Sequence, residues 1–310
     1  MSKAAITKIP FYTTDVFTDK TFGGAQVAVI PDAETLNKEQ MQKIASELNL
    51  WSTAFVSGND GGDNHFSLRL FTPHKEIEFG SHTTIAAAHV LASTDRLKLQ
   101  KGHTPLKFDH NHGSLDVHVT QTEKDSLFST LSLVTEPVVD NYVPSNEELA
   151  ELLSIPSSAI GIKNFQSYLV ANQGVYIVVP IRSLKAVYEA SFNKQAWNQS
   201  LAPNTLAQQI ILFSQETETA GSDFHLRLLG PLIDEANDPP IGSAIPAFSA
   251  FLCAHKHVKK GTYSFIAERG LKQKRQSLLH VEIDNKQIDT LTLRVGGTAV
   301  LVCEGIIQIH

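Results

Sequence analysis

Hydrophobic residues alternate with polar ones, or run together with β-branched residues, over 66–71, 115–119, 175–179, 224–229, 279–283 and 291–295. These segments read as strands. Gly296-Gly297 followed by Thr298-Ala299-Val300-Leu301-Val302 predicts a turn and a further strand. Lys38–Leu48 after Asn37, and Asn146–Leu153 after Ser145, read as surface helices with polar caps. Two further segments, 83–92 and 244–254, are apolar on nearly every side. A helix without a polar face has to be buried all round, so each predicts a rod held inside a shell of sheet. Ser81 and Ser243 stand where the N-caps of these rods are expected. Pro246 then falls in a first turn, where its missing N–H has no helical acceptor anyway.

The two rods belong to a repeat. Leu68-Arg69-Leu70-Phe71-Thr72-Pro73 is echoed by Leu226-Arg227-Leu228-Leu229-Gly230-Pro231. Each is followed by a Gly-Ser pair, Gly80-Ser81 or Gly242-Ser243, that opens an apolar segment. The copies lie about half the chain apart, which predicts a duplicated domain. Many strands with few helices favour an α+β class over a doubly wound sheet. The halves are expected to part near 124–137, where Glu123-Lys124-Asp125-Ser126 and Glu136-Pro137 punctuate the chain. The expected lobes are 1–126 with 293–310, and 127–292. No phosphate loop or dinucleotide fingerprint is present.

The chain has 310 residues, about two domains' worth, and 42% are hydrophobic. A formal net charge of −6 argues against a nucleic-acid partner. No apolar run approaches the roughly 20 residues of a bilayer span, and Met1–Lys8 lacks the apolar stretch of a signal peptide. Cys253 and Cys303 are the two cysteines, so neither a disulfide framework nor a Cys-rich zinc site is expected, and the cytoplasm is the expected compartment. His110-Asn111-His112 invites a metal reading, but neighbouring histidines in a polar loop are more simply solvated, and no metal is expected. Lys272-Gln273-Lys274-Arg275 reads as a solvated turn.

Two buried helices present two positively polarised starts. Facing each other across a cleft, they would form a socket for a carboxylate or another small anion. The polar residues beside them become the candidates: Ser81, His82 and Thr83 in the first half, Asp238 and Ser243 in the second. A histidine at a helix start favours the neutral form, which both donates and accepts at pH 7. Asp238, before Pro239, equally fits an ordinary turn.

Further motifs carry a resemblance. They are Asp15-Val16-Phe17-Thr18-Asp19-Lys20-Thr21-Phe22-Gly23-Gly24, Leu36–Leu50 leading into Thr53-Ala54-Phe55-Val56, Phe71-Thr72-Pro73, Glu76-Ile77 and His82. In the second half come 174–181, Asp238-Pro239, Gly242-Ser243-Ala244, and Val295-Gly296-Gly297-Thr298-Ala299-Val300 with Gly305. In this order they resemble the phenazine-biosynthesis PhzF-like isomerases, of the diaminopimelate-epimerase-like fold. The resemblance implies two similar α+β halves, each a sheet around a central helix, with the last strand returning to the first half. It implies a site in the cleft between them, a homodimer, no metal or organic cofactor, and proton movement at carbon on a small anionic metabolite. By position, His82 and Asp238 match the family's active-site residues, and Gly242 and Ser243 its substrate-cradling turn.

The departures fall at the site. The family's acid/base glutamate, in Ser-Glu-Thr-Ala-Phe, is replaced in Trp51-Ser52-Thr53-Ala54-Phe55 by Ser52. A serine hydroxyl does not titrate near pH 7 and cannot shuttle a proton as a carboxylate does. The family's Gly-Asn-Pro is Gly24-Ala25-Gln26, and its Cys-Gly-His is Gly80-Ser81-His82. Neither cysteine stands at a helix start, so the two-thiol racemase mechanism is not expected. Three readings follow: an isomerase with a rearranged site, in which Glu76 or Glu78 could supply the missing base; a relative that binds a small anion without turnover; or a scaffold that kept only the fold.

Overall fold

The computed structural model describes residues 6–58, 62, 64–111, 113–122, 126–233, 238–255, 257–270, 274–287 and 289–309. Sixteen strands are present among them. They are β1 (Thr7–Val16), β2 (Ala25–Ile30), β3 (Ser52–Gly58), β4 (His65–Phe71), β5 (Glu76–Ile77), β6 (His103–His110), β7 (Gly113–Gln121), β8 (Leu127–Thr135), β9 (Val138–Asp140), β10 (Tyr168–Ala171), β11 (Val175–Pro180), β12 (Gln209–Ser214), β13 (Phe224–Leu229), β14 (Thr262–Arg269), β15 (Ser277–Asp284) and β16 (Leu291–Ile309). The α-helices are α1 (Lys38–Leu48), α2 (Ser81–Ser93), α3 (Asn146–Leu153), α4 (Leu184–Glu189), α5 (Lys194–Gln199) and α6 (Ile245–Ala254). The chain divides into an N-terminal unit, Met1–Ser132 with Gly296–His310, and a C-terminal unit, Leu133–Val295.

The duplication is visible in the ladders. In the N-terminal unit β1–β2 is antiparallel, β2–β3 parallel, β3–β4 antiparallel, β4–β6 parallel and β6–β7 antiparallel. In the C-terminal unit β10–β11, β11–β12, β12–β13, β13–β14 and β14–β15 repeat that sequence of directions. Parallel neighbours need a crossover. The β4–β6 crossover carries α2 and the β13–β14 crossover carries α6. The Leu-Arg-Leu repeats are β4 and β13.

Both rods are buried. In α2, twelve residues from Ser81 to Ala92 are buried, and the helix packs against β1, β2, β3 and β7. In α6, Ile245 to Leu252 are buried. The two cores differ in kind. Alanines on α2 let the surrounding sheet approach closely, whereas Phe248 and Phe251 of α6 stack at 6.1 Å and meet Phe213 edge-on at 5.0 and 5.3 Å.

The starts of the rods differ from expectation. The N-cap of α2 is Gly80, and Ser81 is already helical. A Cβ on Gly80 would lie 2.9 Å from Thr83 Oγ1, so the tight approach selects glycine there. The backbone N–H and the hydroxyl of Thr84 both donate to the Gly80 carbonyl, at 2.9 and 3.0 Å. In the second half Gly242–Ala244 forms a 3₁₀ turn, Ala244 is the N-cap of α6, and Ser243 lies inside the turn. Pro246 does fall in the first turn of α6.

Gly296-Gly297 is not a turn but the middle of the 19-residue β16. A Cβ on Gly296 would lie 2.7 Å from the Phe128 ring, so this glycine makes room for an aromatic neighbour while the strand continues. Beyond it, 299–309 pair antiparallel with β1. The surface helices stand as expected: Asn37–Gln40 and Ser145–Glu148 form reciprocal capping boxes on α1 and α3.

A candidate proton-transfer site

In the N-terminal unit, β3 begins at Ser52 and α2 at Ser81, and the two starts meet. Ser52 Oγ lies 3.1 Å from His82 Nε2 and 2.7 Å from Thr83 Oγ1. All three residues are buried. The Ser52 hydroxyl has one proton to donate, so its bond to Thr83 and its bond to His82 are coupled: each tautomer of His82 sets the direction of the pair. Ser81 Oγ is buried with no hydrogen-bond partner among the described residues, and α2 has no side-chain cap.

Glu76 is committed elsewhere. Arg69 Nε donates to it at 2.8 Å, Lys38 Nζ lies 2.7 Å from its other oxygen, and Arg69 above all holds its carboxyl down to about 2. A carboxylate so stabilised is a poor base near neutral pH. Glu78 is exposed, and with Glu76, Arg69, Lys38, His110 and Asn111 it lines a separate cavity of about 280 Å³. His112, the other half of the suggested metal pair, lies outside the described residues, as do Lys272 and Gln273. Among the described residues no three His, Cys, Asp or Glu side chains are placed to hold a metal.

In the C-terminal unit Asp238 is far from an exposed turn residue. It is buried, its φ is +41°, and Arg269 Nη1 lies 3.7 Å from Oδ2. Burial pushes its carboxyl above the ordinary range, while Arg269, Arg227, His225 and the Gly270 backbone pull the other way. Oδ1 has no hydrogen-bond partner among the described residues. Asn237, beside it, lies outside them. Ser243 is half-buried and its carbonyl accepts from the Tyr176 hydroxyl at 3.4 Å, while Gly242 is buried. Asn172 Nδ2 donates to the Pro246 carbonyl at 3.0 Å and so ties β10's end to the start of α6.

Around Asp238 stands a charged set that sequence reasoning did not single out. Glu268 is buried, yet bonds from His225 (3.0 Å) and from the Glu218 and Thr219 backbone N–H groups (2.8 and 2.9 Å) overcome burial and hold its carboxyl near 2. Arg227 donates to the Val187 and Ala190 carbonyls, at the end of α4, at 2.9 and 2.7 Å. Arg269 is fully enclosed, and burial brings its guanidinium down to about 10. The one sequence signal was a pair of charges, Glu268-Arg269, following the apolar Phe265-Ile266-Ala267 at the end of β14.

The chain can be compared with known proteins on this basis. Residues 14–305 match the PhzC-PhzF family model, described as phenazine biosynthesis-like protein. The chain belongs to that family. Among its relatives is a protein of Mesorhizobium japonicum named an uncharacterized isomerase, 28% identical over 94% of this chain and 96% of the relative. A second, from Halalkalibacterium halodurans and named likewise, is 30% identical over 76% of this chain and 78% of its own. A Bacillus anthracis phenazine biosynthesis protein of the PhzF family superposes with a TM-score of 0.85, covering 98% of this chain and all of that one at 22% identity. The fold is therefore the α+β, diaminopimelate-epimerase-like one that the motifs implied.

Proposed function

We propose that this PhzC-PhzF member is an isomerase that moves a proton at a carbon of a small carboxylic acid, with no metal or organic cofactor. Asp238 carries the reading: it is a buried carboxylate with one oxygen unbonded among the described residues, in a chain with Ser52 where the resemblance implies a glutamate. Relatives named as isomerases support the reaction class. In the step envisaged, a C–H bond beside the substrate carboxylate breaks and its proton passes to Asp238 or to His82. The electron pair stays on the substrate as an enolate, and the proton returns at another carbon or on the other face. Ser52 does not carry the proton but fixes the ring of His82. Ser81 and Thr83 stand at the start of α2, and Gly242 and Ser243 in the turn before α6, each a start that favours an anion.

Proton exchange into a panel of small carboxylic acids in heavy water tests this. The native protein should exchange label into at least one acid, and His82→Ala and Asp238→Ala should each lower the rate by roughly 100-fold or more. Exchange absent from the native protein, or equal in all three, overturns it. A second reading, binding without turnover, is favoured by Ser52, which has no titratable proton to give. It would show as thermal stabilisation by an acid that never exchanges. Ser52→Glu bears on both, because exchange gained by that variant would mark a site still organised for the reaction.

A further inference from the structure

A guanidinium removed from water carries a large desolvation cost unless its neighbours compensate. Arg269 is 2% exposed, its Nε has no hydrogen-bond partner among the described residues, and its Nη1 lies 3.7 Å from Asp238 Oδ2. That distance is an ion pair without a hydrogen bond. The arrangement is not a packing convenience. Arg269 is the last residue of β14 and pairs with Ser277 of β15. The backbone then turns sharply at Gly270, whose φ is +78° and whose added Cβ would overlap the Arg275 carbonyl oxygen. The Arg275 N–H closes that turn on the Gly270 carbonyl at 2.8 Å. A rigid strand end therefore delivers one buried cation to one buried carboxylate.

We propose that Arg269 is a positioning residue that keeps Asp238 ionised and leaves Oδ1 open to accept the substrate's proton. The inference rests on the reading of Asp238 as a proton-carrying group. The groups that act on Asp238 come from three elements and a turn: Arg269 from β14, Arg227 and His225 from β13, Tyr188 from α4, and the Gly270 backbone. Glu268, next to Arg269 in sequence, bonds to His225 and to the Glu218 and Thr219 backbone N–H groups. Arg227 is turned to the end of α4, where it bonds two carbonyls. Arg269 is thus the cation paired with Asp238. The pair opposes the burial that favours the neutral Asp238 carboxyl.

The test titrates Asp238 by carbon-13 carboxyl NMR in the full chain, with the signal assigned by its loss in Asp238→Asn. Arg269→Gln should raise the Asp238 midpoint by about one pH unit or more, the effect of removing an opposite charge at this range. Arg269→Lys should return it toward the native value. Where the Gln variant fails to fold, Arg269→Met, of similar length and uncharged, gives the same reading. An Asp238 midpoint unchanged in the uncharged variants overturns the proposal. The titration needs no turnover, so it stands or falls apart from the isomerase reading. If exchange is found, the acidic limb of its pH profile should move with the NMR midpoint. A rise in KM with an unmoved pH profile would instead make Arg269 a substrate-binding group and reject the positioning role.

Discussion

His89 shows what burial does to one side chain. It lies inside α2, 7% exposed, with Nε2 3.3 Å from the Ser93 hydroxyl and no partner for Nδ1 among the described residues. Burial brings its imidazole down to about 4 from 6.5. Above pH 6.5 the ring is neutral in both the folded and unfolded chain and costs nothing. As pH falls, the unfolded chain takes the proton first, so stability is lost between 6.5 and about 4. The loss amounts to about 3 kcal/mol at the acid end. Urea unfolding at pH 7 and pH 4.5 should show a larger drop for the native protein than for His89→Gln, and equal drops would contradict this. His82 and Asp238 were legible as candidates because the motifs placed them. Arg269, His225 and Glu268 were not, since a charge within a strand leaves no mark on its period and only the fold shows whether water reaches it.

Elements separate local signals from tertiary ones. The capping boxes at Asn37 and Ser145 were readable because every atom involved lies within four residues. Ser145→Ala should cost about 1 kcal/mol in thermal or urea unfolding. The Gly296-Gly297 pair misled because a glycine pair that admits a turn equally admits a neighbour's ring. Gly296→Val would drive a side chain into Phe128 and Thr130 and should destabilise by roughly 1–3 kcal/mol, with a lowered melting temperature as the readout. Phe248→Ala acts in the opposite way. It empties a site ringed by Phe213, Phe224, Phe251 and Phe265, at centroid distances of 5.0 to 6.1 Å, and should cost roughly 3–5 kcal/mol.

At the scale of the whole molecule, family kinship makes the homodimer a testable expectation: sedimentation should give a species of twice the 34.0 kDa chain mass, and a monomer at micromolar concentration would refute it. No described helix is long and apolar enough to cross a membrane. Six of the sixteen described strands announced themselves through period and β-branching: β4, β7, β11, β13, β15 and the first part of β16. Others, such as β12 with Gln209-Ile210-Ile211-Leu212-Phe213-Ser214, are buried on both faces and lose the alternation that marks a half-exposed strand. The sequence by itself determined the duplication and the two apolar rods, because each is written in residue order or in a face with nowhere to hide from water. Which serine reached His82, which arginine faced Asp238 and which glutamate was already paired were decided by the tertiary structure alone, because contacts between distant segments and the exclusion of solvent exist only once the sheets have closed around their helices.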